Sequence, residues 1–403
     1  MNSAVLKKNN LFKVIQALKQ NGPMTKPELM IKTNLTSASV HNFVNELLEK
    51  GLLLEEGLNA SNGGRKASIY RFNSSYKHIV GVYIALHSIT CCVIDLDFNE
   101  KVNIEKPINL AEEDVESNIN NVLEQIQLAI AQSGFAYTDF AGIGVIVPGT
   151  VNRQKGVIQT LVNARNWRNI PLKSIIEDAI GLPTIVDKDT CGMVLHYKWV
   201  ELPNANANIV HISITDGIGA GILLNGSLYR GKHHVAGEIG HMSVDPDGEM
   251  CNCGNLGCLE LFAANMGIVR NAVKKLSAGE DSSLANIFQE KGSLDIEDVV
   301  NAAKDKDKMA YNLFVNATKF LVMSIGNVMK VCDPDEIVFD SYWLGELPEF
   351  FSMITNQIFE NTRIVARSEV RISMSSISNL LLKGAATLQY EDIFGSATTC
   401  PFL

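Results

Sequence analysis

A short stretch of the chain contains four residues that could together bind a metal ion. They are His241, Cys251, Cys253 and Cys258. Thiolate and imidazole are the ligands that tetrahedral zinc prefers, and Gly254 and Gly257 allow a short loop to turn around a small ion. Four protein ligands leave no open coordination position, so the sequence predicts a structural zinc ion rather than a hydrolytic one. The alternative is that these are simply reduced cysteines of a loop.

Two acidic residues flank these ligands: Glu238, within the run Gly237–His241, and Glu260, two positions after Cys258. This arrangement resembles the signature of the ROK family of repressors, open reading frames and kinases, from about residue 10 to about residue 390. The resemblance implies that Glu238, His241 and Glu260 contact sugar hydroxyls. It also implies an α/β fold class: an N-terminal winged helix-turn-helix followed by a two-lobed, actin-like (ribonuclease H-like) domain of the ROK sugar-kinase type.

Length and composition are consistent with several domains. The 403 residues exceed what one hydrophobic core usually supports. No apolar run is long enough to span a membrane, and Lys7 and Lys8 interrupt any signal-peptide core, so we expect a cytoplasmic protein with no membrane partner. We predict a winged helix-turn-helix in residues 1–73, a first lobe in 78–190 completed by a C-terminal helix at 379–396, and a second lobe with the zinc motif in 191–378.

Charge is distributed unevenly along the chain, although the net charge is −9. Residues 1–72 contain ten Lys or Arg and five Asp or Glu, whereas the remainder is acidic. A basic head on an acidic body predicts contact with nucleic acid at one end only. A capping box at Thr25–Glu28, a turn at Thr33–Leu35 and an amphipathic helix from Ser37 to Lys50 predict a helix-turn-helix within this head.

The residues expected to contact DNA lie in two places. Ser37, Ser39 and His41 are on the outer face of the predicted recognition helix, where short polar side chains reach base edges. Arg65 and Lys66 lie at a Gly-rich tip between two predicted strands, where we expect contact with phosphates or the minor groove. The pattern is similar to the winged helix-turn-helix of ROK repressors. The alternative is a small helical interaction module whose lysines face solvent.

Three departures from the ROK kinase pattern argue against ATP binding. The kinases open their first lobe with an Asp-x-Gly-Gly-Thr turn, which here is replaced by Tyr83–His87. The second phosphate loop aligns with Thr215–Gly221, in which Asp216 puts a negative charge near the expected phosphate. Glycines that usually follow a later strand are replaced by Asp340–Tyr342. We therefore expect the chain not to be an enzyme.

The family resemblance assigns further residues to the sugar. Asp189 matches the general base of the kinases, and without ATP it can only accept hydrogen bonds. Lys188 replaces the asparagine that precedes it, which exchanges an acceptor for a donor. Asn163 lies where the family has another sugar-facing group. The alternatives are that Asp189 caps a helix and that Trp167, which could stack on a sugar, belongs to the core.

The sequence as a whole predicts a sugar-responsive, DNA-binding regulator, a repressor of carbohydrate utilisation genes without kinase activity. We expect a homodimer or tetramer that binds a palindromic operator and a sugar or sugar-derivative effector. Two alternatives remain: an ATP-dependent sugar kinase with a fused DNA-binding head, and a zinc-ordered scaffold that binds DNA constitutively or binds a protein. Xylose, glucose, an N-acetylated hexosamine and a phosphorylated sugar are all open as effectors.

Overall fold

The computed structural model describes residues 3–58, 68–202, 206–361 and 369–403. The N-terminal head contains α1 (Ser3–Asn21), β1 (Met24–Thr25), α2 (Lys26–Thr33), α3 (Ser37–Glu49), β2 (Leu53–Leu58) and β3 (Ser68–Phe72). Its strands form an antiparallel sheet in the order β1-β3-β2. This confirms the predicted arrangement of three helices and two longer strands.

Side chains define the ends of the two helices that form the helix-turn-helix. Thr25 and Glu28 form the predicted capping box, in which the Thr25 N–H donates to Glu28 Oε2 at 2.7 Å. The chain turns at Asn34, whose φ of 56° is in the left-handed region that asparagine tolerates. Thr36 then caps α3 by accepting a hydrogen bond from the Ser39 N–H at 3.3 Å. Local polar residues thus set where α2 ends and α3 begins.

The first lobe is built on a five-stranded sheet. Its elements are β4 (His78–Ile84), β5 (Ser88–Asp95), β6 (Glu100–Pro107), α4 (Val115–Ser133), β7 (Phe140–Val147), β8 (Thr150–Asn152), β9 (Val157–Leu161), β10 (Ala164–Ile170), α5 (Leu172–Ile180), β11 (Thr184–Lys188) and α6 (Asp189–Val200). The sheet order is β11-β7-β4-β5-β6, with β4, β5 and β6 antiparallel and with β7 and β11 parallel to β4. The small sheet of β8, β9 and β10 was not predicted.

The second lobe repeats the same sheet topology. Its elements are β12 (Ile209–Ile214), β13 (Ile218–Leu224), β14 (Ser227–Leu228), α7 (Glu260–Ala263), α8 (Asn265–Ser277), α9 (Leu284–Lys291), α10 (Ile296–Lys304), α11 (Lys308–Cys332), β15 (Glu336–Ser341), α12 (Tyr342–Glu346), α13 (Pro348–Asn361) and β16 (Arg371–Met374), and α14 (Leu380–Phe394) follows. The order is β14-β13-β12-β15-β16, three antiparallel strands continued by two parallel ones. The duplication is visible in the topology although the sequence contains no recognisable repeat.

Helices α6 and α14 pack against each other where the two lobes meet. Helix α14 contacts β4 and β7 of the first sheet, and α6 contacts β12 and β13 of the second. The helices cross at two glycines: a Cβ on Gly384 would lie 2.7 Å from the carbonyl carbon of Gly192. The two backbones are therefore in direct contact, and neither position has room for a side chain.

The head packs on the first lobe through α14. Phe72 of β3 and the α14 residues Tyr390 and Phe394 belong to one hydrophobic cluster, and the rings of Phe72 and Phe394 meet edge to face at 5.8 Å. Lys19 of α1 reaches into this cluster and donates a hydrogen bond to the carbonyl oxygen of Leu96 at 2.6 Å. The core of the N-terminal head is thus continuous with the core around α14.

Helices α7 and α8 are separated at Ala264, because Ala264 has an extended backbone and the N–H of Asn265 bonds to Thr215 O at 2.8 Å. Trp167 is fully buried in the core of the first lobe, which agrees with the alternative that it belongs to the core and does not stack on a sugar. Among the described residues, no helix is long and apolar enough to cross a membrane.

Candidate functional site

The four predicted metal ligands converge in one place. The ligand atoms of His241, Cys251, Cys253 and Cys258 all lie within 4.8 Å of one another. The Sγ atoms of Cys253 and Cys258 are 3.6 Å apart, and Cys251 Sγ lies 3.7 Å from His241 Nδ1. Ligands bound about 2.3 Å from a tetrahedral zinc ion would be about 3.8 Å from each other. The donor set and its spacing therefore fit one tetrahedral metal ion.

Backbone hydrogen bonds hold the loop that carries the cysteines. The Cys251 N–H donates to Asn255 O at 2.8 Å, and the Val244 N–H donates to Gly257 O at 2.8 Å. Gly257 has a φ of 56°, and a Cβ there would lie 1.7 Å from the carbonyl oxygen of Asp245, so this position requires glycine. The loop is thereby shaped by its own backbone.

The six residues that the sequence assigned to sugar binding line one pocket between the lobes. They are Asn163, Lys188, Asp189, Glu238, His241 and Glu260. The first three belong to the first lobe and the helix that follows β11, and the last three belong to the second lobe. The pocket has a volume of about 140 Å³. A ligand that contacts both sets of residues would join the two lobes.

Glu260 connects the metal cluster to this pocket. It is the first residue of α7, and its Oε1 atom lies 3.4 Å from Cys251 Sγ and 3.5 Å from His241 Nδ1. Burial raises the pKa of Glu260. Asn252, within the metal loop, also donates to Asn163 Oδ1 at 3.2 Å. A bound ion would therefore fix the position of one pocket carboxylate and of the loop that meets the first lobe.

Lys188 is buried and already paired. Its Nζ donates to Glu238 Oε1 at 2.6 Å and to Ala236 O at 2.8 Å, and the residue is 4 % exposed. Burial alone would lower the pKa of Lys188, but the charge and hydrogen bond of Glu238, together with the charge of Asp189 and the neighbouring Cys191, outweigh burial and raise it. Lys188 is thus an internal partner of Glu238 as well as a lining residue.

Asp189 has a carboxylate suited to hydrogen bonding with a ligand. It is the first residue of α6, and its Oδ1 accepts from the Thr190 N–H at 2.7 Å, which agrees in part with a capping role. Burial raises its pKa to about 6, while hydrogen bonding to Thr190 and the charge of Lys188 act in the opposite direction. Asp189 therefore remains largely a hydrogen-bond acceptor at neutral pH.

In the alignment that the family resemblance implies, Tyr83 replaces the aspartate of the first phosphate turn of the kinases, and Ala85 replaces one of its glycines. Together with Ala85 and Asp216 it lines the pocket. Burial raises the pKa of Tyr83, and the charges of Asp189, Asp216 and Asp340 raise it further. A bulky phenol surrounded by carboxylates is a poor environment for a triphosphate.

The glycines that remain in the second phosphate loop have a packing role. A Cβ on Gly221 would lie 2.1 Å from the carbonyl oxygen of Thr190, and one on Gly219 would lie 2.9 Å from the Thr190 methyl group. The Thr215 N–H is also used, since it donates to Gly217 O at 2.9 Å. These glycines let β13 approach α6, so their presence does not by itself indicate nucleotide binding.

Sequence reasoning missed a second ion pair between the lobes. Arg230 donates to Asp187 Oδ2 from Nε at 2.8 Å and from a terminal nitrogen at 2.6 Å. Asp187 is 2 % exposed, and Arg153 lies 3.6 Å away. Asp187 and Lys188 are consecutive in β11, and both pair with the segment 230–238. The available signal was an acidic residue at the end of an apolar strand, which requires a cationic partner when it is buried.

The structure places the predicted DNA-contact residues differently within α3. Ser37 and His41 are exposed. Ser39 is partly buried, and its hydroxyl lies 2.9 Å from that of Thr36, so it contributes to the helix cap. Arg65 and Lys66 lie outside the described residues. Ser37 and His41 are therefore the predicted base-contacting side chains that α3 presents to solvent.

A polar cluster around His41 was not anticipated. Its Nδ1 lies 3.1 Å from Lys26 Nζ, and its Nε2 lies 3.1 Å from Asn45 Nδ2. Lys26 also donates to Asn45 Oδ1 at 3.3 Å. Asn45 follows His41 by one helical turn, which was the only sequence signal for this contact. The cluster adds a cation and an amide to the exposed side of the helix-turn-helix.

Comparison with known families agrees with this geometry. A model of the ROK family matches residues 79–387, more than half of the chain. The chain belongs to the ROK family. A model of a winged helix-turn-helix DNA-binding domain matches residues 8–53. The predicted fold class, a winged helix-turn-helix followed by a two-lobed ROK domain, is confirmed.

Several known proteins are similar to this chain over most of its length. The xylose repressor of Bacillus subtilis (strain 168) is 26% identical over 353 residues, which cover 88% of this chain and 87% of that protein. The DNA-binding transcriptional dual regulator NagC of Escherichia coli (strain K12) is 28% identical over 353 residues, covering 86% and 83%. A crystal structure of a ROK family transcriptional regulator, a homolog of the E. coli MLC protein, superposes with a TM-score of 0.81 and 25% identity, covering 99% and 98%.

Proposed function

We propose that this ROK family protein is a transcriptional repressor without kinase activity, whose operator affinity depends on a sugar bound between its lobes. The observation that carries this proposal is the lining of the pocket. It combines carboxylates from both lobes with Tyr83 and Asp216, which stand at positions that align with the phosphate loops of ROK kinases. Carboxylates accept hydrogen bonds from sugar hydroxyls, and each hydroxyl can donate. The relatives named as a xylose repressor and as a DNA-binding transcriptional dual regulator support the proposal, because they are similar to this chain over 88% and 86% of its length.

A route from the pocket to the head passes through α6 and α14. A sugar held by Asp189 and by Glu238 would fix the angle between the lobes. Helix α6 begins at Asp189 and touches α14 at Gly192, and α14 packs on the head through Tyr390 and Phe394. A change in lobe angle would therefore alter how the head is held. The coupling that this requires is on the order of 1–3 kcal/mol.

Titration of a labelled operator tests the proposal. The operator is first selected from a random DNA library with the full chain, and its affinity is then measured with and without a panel of neutral and phosphorylated sugars. We expect one sugar to change the affinity by roughly 5- to 150-fold. The Glu260→Gln variant should bind the operator normally but lose the response. Unchanged operator affinity across a broad sugar panel would contradict the sensing role.

For the metal cluster we propose a structural zinc ion. All four coordination positions would be taken by His241, Cys251, Cys253 and Cys258, so the ion would order the loop that carries Glu260 and would not activate water. The distances of 3.6 Å between Cys253 Sγ and Cys258 Sγ and of 3.7 Å between Cys251 Sγ and His241 Nδ1 support this proposal, because they are close to the ligand spacing around a tetrahedral zinc ion. Metal analysis of the purified chain tests it, and the expected content is about one zinc per chain.

For the head we propose that Ser37, Ser39 and His41 contact bases and that Arg65 and Lys66 contact phosphates or the minor groove. A cytoplasmic homodimer, or a tetramer of two dimers, would present two α3 helices to half-sites about one helical turn apart.

We further propose that the chain is divided into three domains: residues 1–73, residues 78–190 together with 379–396, and residues 191–378. Light scattering with and without operator, and limited proteolysis, test the assembly and the division.

One observation favours a second function, that of a sugar kinase with a DNA-binding head. Asp189 has a pKa raised to about 6 by burial and lies at the position of the kinase general base. A coupled ADP-release assay with ATP, magnesium and a sugar panel tests this function. Turnover that is abolished by Asp189→Asn would establish it and would contradict the repressor proposal as stated.

A further inference from the structure

We infer that the effector is an uncharged sugar and that the pocket excludes sugar phosphates. This inference deepens the proposed function and rests on it, because it concerns the same pocket. It is carried by three features: the charges that line the pocket, the pairing of Lys188, and the residues beside Asp189.

Acidic side chains outnumber cationic ones around the pocket. Asp189, Asp216, Glu238 and Glu260 line it, and Lys188 is the single Lys or Arg among the described lining residues. A phosphorylated sugar would bring up to two more negative charges into this acidic space. Like charges brought together in a partly buried site repel strongly, because screening by water is weak there. The lining as a whole therefore favours a ligand without negative charge.

The single cation is already committed to protein partners. Lys188 Nζ donates to Glu238 Oε1 at 2.6 Å and to Ala236 O at 2.8 Å, which uses two of its three donors. Moving this ammonium to a phosphate would leave Glu238 without its cationic partner. The third donor remains available for one neutral acceptor, such as a ring or hydroxyl oxygen. Lys188 thus suits a neutral sugar better than an anionic one.

The end of the pocket near Asp189 is where a phosphate would have to lie. Asp189 matches the base that receives the proton of the phosphorylated hydroxyl in ROK kinases, so that hydroxyl would point toward this residue. Tyr83 and Asp216 line the same pocket, and Asp340 also acts on Tyr83 through its charge. A phosphate on that hydroxyl would meet a phenol ring and several carboxylates.

One backbone donor of the pocket lining is already occupied, since the Thr215 N–H donates to Gly217 O at 2.9 Å. The Ala220 N–H, next to the lining residue Gly219, donates to Gly237 O at 2.8 Å. Sites that bind phosphate usually present free backbone N–H groups or a free guanidinium or ammonium group. The N–H groups of Thr215 and Ala220 would have to break these hydrogen bonds before they could bind a phosphate.

Calorimetric titration of the full chain tests the inference with matched pairs of ligands. The probes are D-xylose, D-glucose with D-glucose 6-phosphate, and N-acetyl-D-glucosamine with its 6-phosphate. We expect at least one neutral sugar to bind. Each 6-phosphate should bind at least about 100-fold more weakly than its parent sugar, because like charges brought into contact reduce affinity. A 6-phosphate that binds as tightly as its parent would overturn the inference and leave the proposed sugar response intact.

A charge-reversed variant tests whether repulsion by the pocket carboxylates weakens phosphate binding. In Asp216→Lys the affinity of the parent sugar divided by that of its 6-phosphate should fall by about tenfold, because one repulsive charge becomes attractive. Asp281→Asn, an exposed acidic residue outside the pocket lining, is the matched control and should keep the original ratio. An unchanged ratio in Asp216→Lys would overturn the electrostatic argument. Absence of binding by every neutral sugar and every phosphate would overturn the proposed function together with this inference.

Discussion

The ammonium group of Lys19 lies 4.6 Å from the centre of the Tyr390 ring, at the contact between helix α1 of the head and helix α14. It also lies 4.3 Å from the centre of the Phe72 ring and donates to Leu96 O at 2.6 Å. Asp97, 3.7 Å away, is its acidic neighbour. A single cation is thus enclosed by aromatic rings from the DNA-binding head and from the helix that joins the lobes.

This enclosure makes the stability of the protein depend on pH through Lys19. Burial lowers the pKa of Lys19 from 10.5 to about 8, although Asp97 opposes the change. Between these two values the unfolded chain binds more protons than the folded one, so this residue makes the free energy of unfolding rise with pH. Lys19→Met should remove that contribution, which amounts to at most about 1.4 kcal/mol per pH unit.

Urea unfolding at pH 8 and at pH 10 measures the effect as a difference between wild type and variant. The wild type should gain stability relative to Lys19→Met as the pH rises. Lys32→Met, on the exposed face of α2, is the control and should follow the wild type. Equal pH dependence in wild type and Lys19→Met would show that Lys19 is not buried as a cation.

Arg230→Gln should destabilise the protein strongly. The substitution leaves the buried carboxylate of Asp187 without its bidentate partner, and the remaining Arg153 is 3.6 Å away. Removing one member of a buried ion pair costs on the order of 3–5 kcal/mol, and the retained Arg153 should bring the loss toward the lower value. The free energy of unfolding in urea is the quantity to measure.

A surface ion pair provides the comparison for Arg230. Lys291 at the end of α9 pairs with Asp298 of α10 at 2.7 Å, and the Lys291 side chain is exposed to solvent. Lys291→Gln should change the free energy of unfolding much less than Arg230→Gln does, because ion pairs of exposed side chains contribute little. A loss in Arg230→Gln as small as that in Lys291→Gln would mean that Asp187 finds other partners.

Cys253→Ser should remove the metal and the effector response together. Cys253 is exposed, so the substitution leaves the hydrophobic core intact while it deletes one ligand. We expect zinc content to fall from about one per chain to near zero, and the melting temperature to fall, because metal binding contributes to folding. Cys332→Ser, a cysteine outside the cluster, is the control. Full zinc content in Cys253→Ser would show that Cys253 is not a ligand.

Substitutions in the head should separate affinity from specificity. His41→Ala should relax base preference at one position of each half-site, at a cost of about 1–3 kcal/mol for the preferred operator. Lys26→Ala should weaken binding to all DNA sequences about equally. It should also lower the slope of log affinity against log salt concentration by about one, the contribution of a single phosphate contact. Binding measured on operator and random DNA at three salt concentrations distinguishes the two. Identical profiles for both variants would contradict the division of roles.

Sequence reasoning succeeded where the interactions are local. The capping box joins Thr25 and Glu28, and the His/Cys group that could hold a metal ion lies between His241 and Cys258, so in both cases spacing alone indicates that the side chains meet. The family resemblance supplied the two-lobed fold and the residues of the pocket.

The interactions that were missed join distant positions. Arg230 and Asp187 are 43 positions apart, and Gly384 meets Gly192 only after the two lobes assemble. Lys188 shows the same limit: the sequence predicted a donor among the sugar-binding residues, whereas in the folded chain this donor is also paired with Glu238. Charge and residue type indicate that a partner is needed, but not which distant residue supplies it.

The glycine contact between α6 and α14 determines how motion can pass through the molecule. Because backbone meets backbone at Gly192 and Gly384, no side chain at this crossing can absorb a displacement by changing its rotamer. Helix α14 has 15 residues and is therefore about 22 Å long. A tilt of about 5° at one end would move the other end by about 2 Å, so a small closure of the pocket would be amplified before it reaches the operator-binding surface.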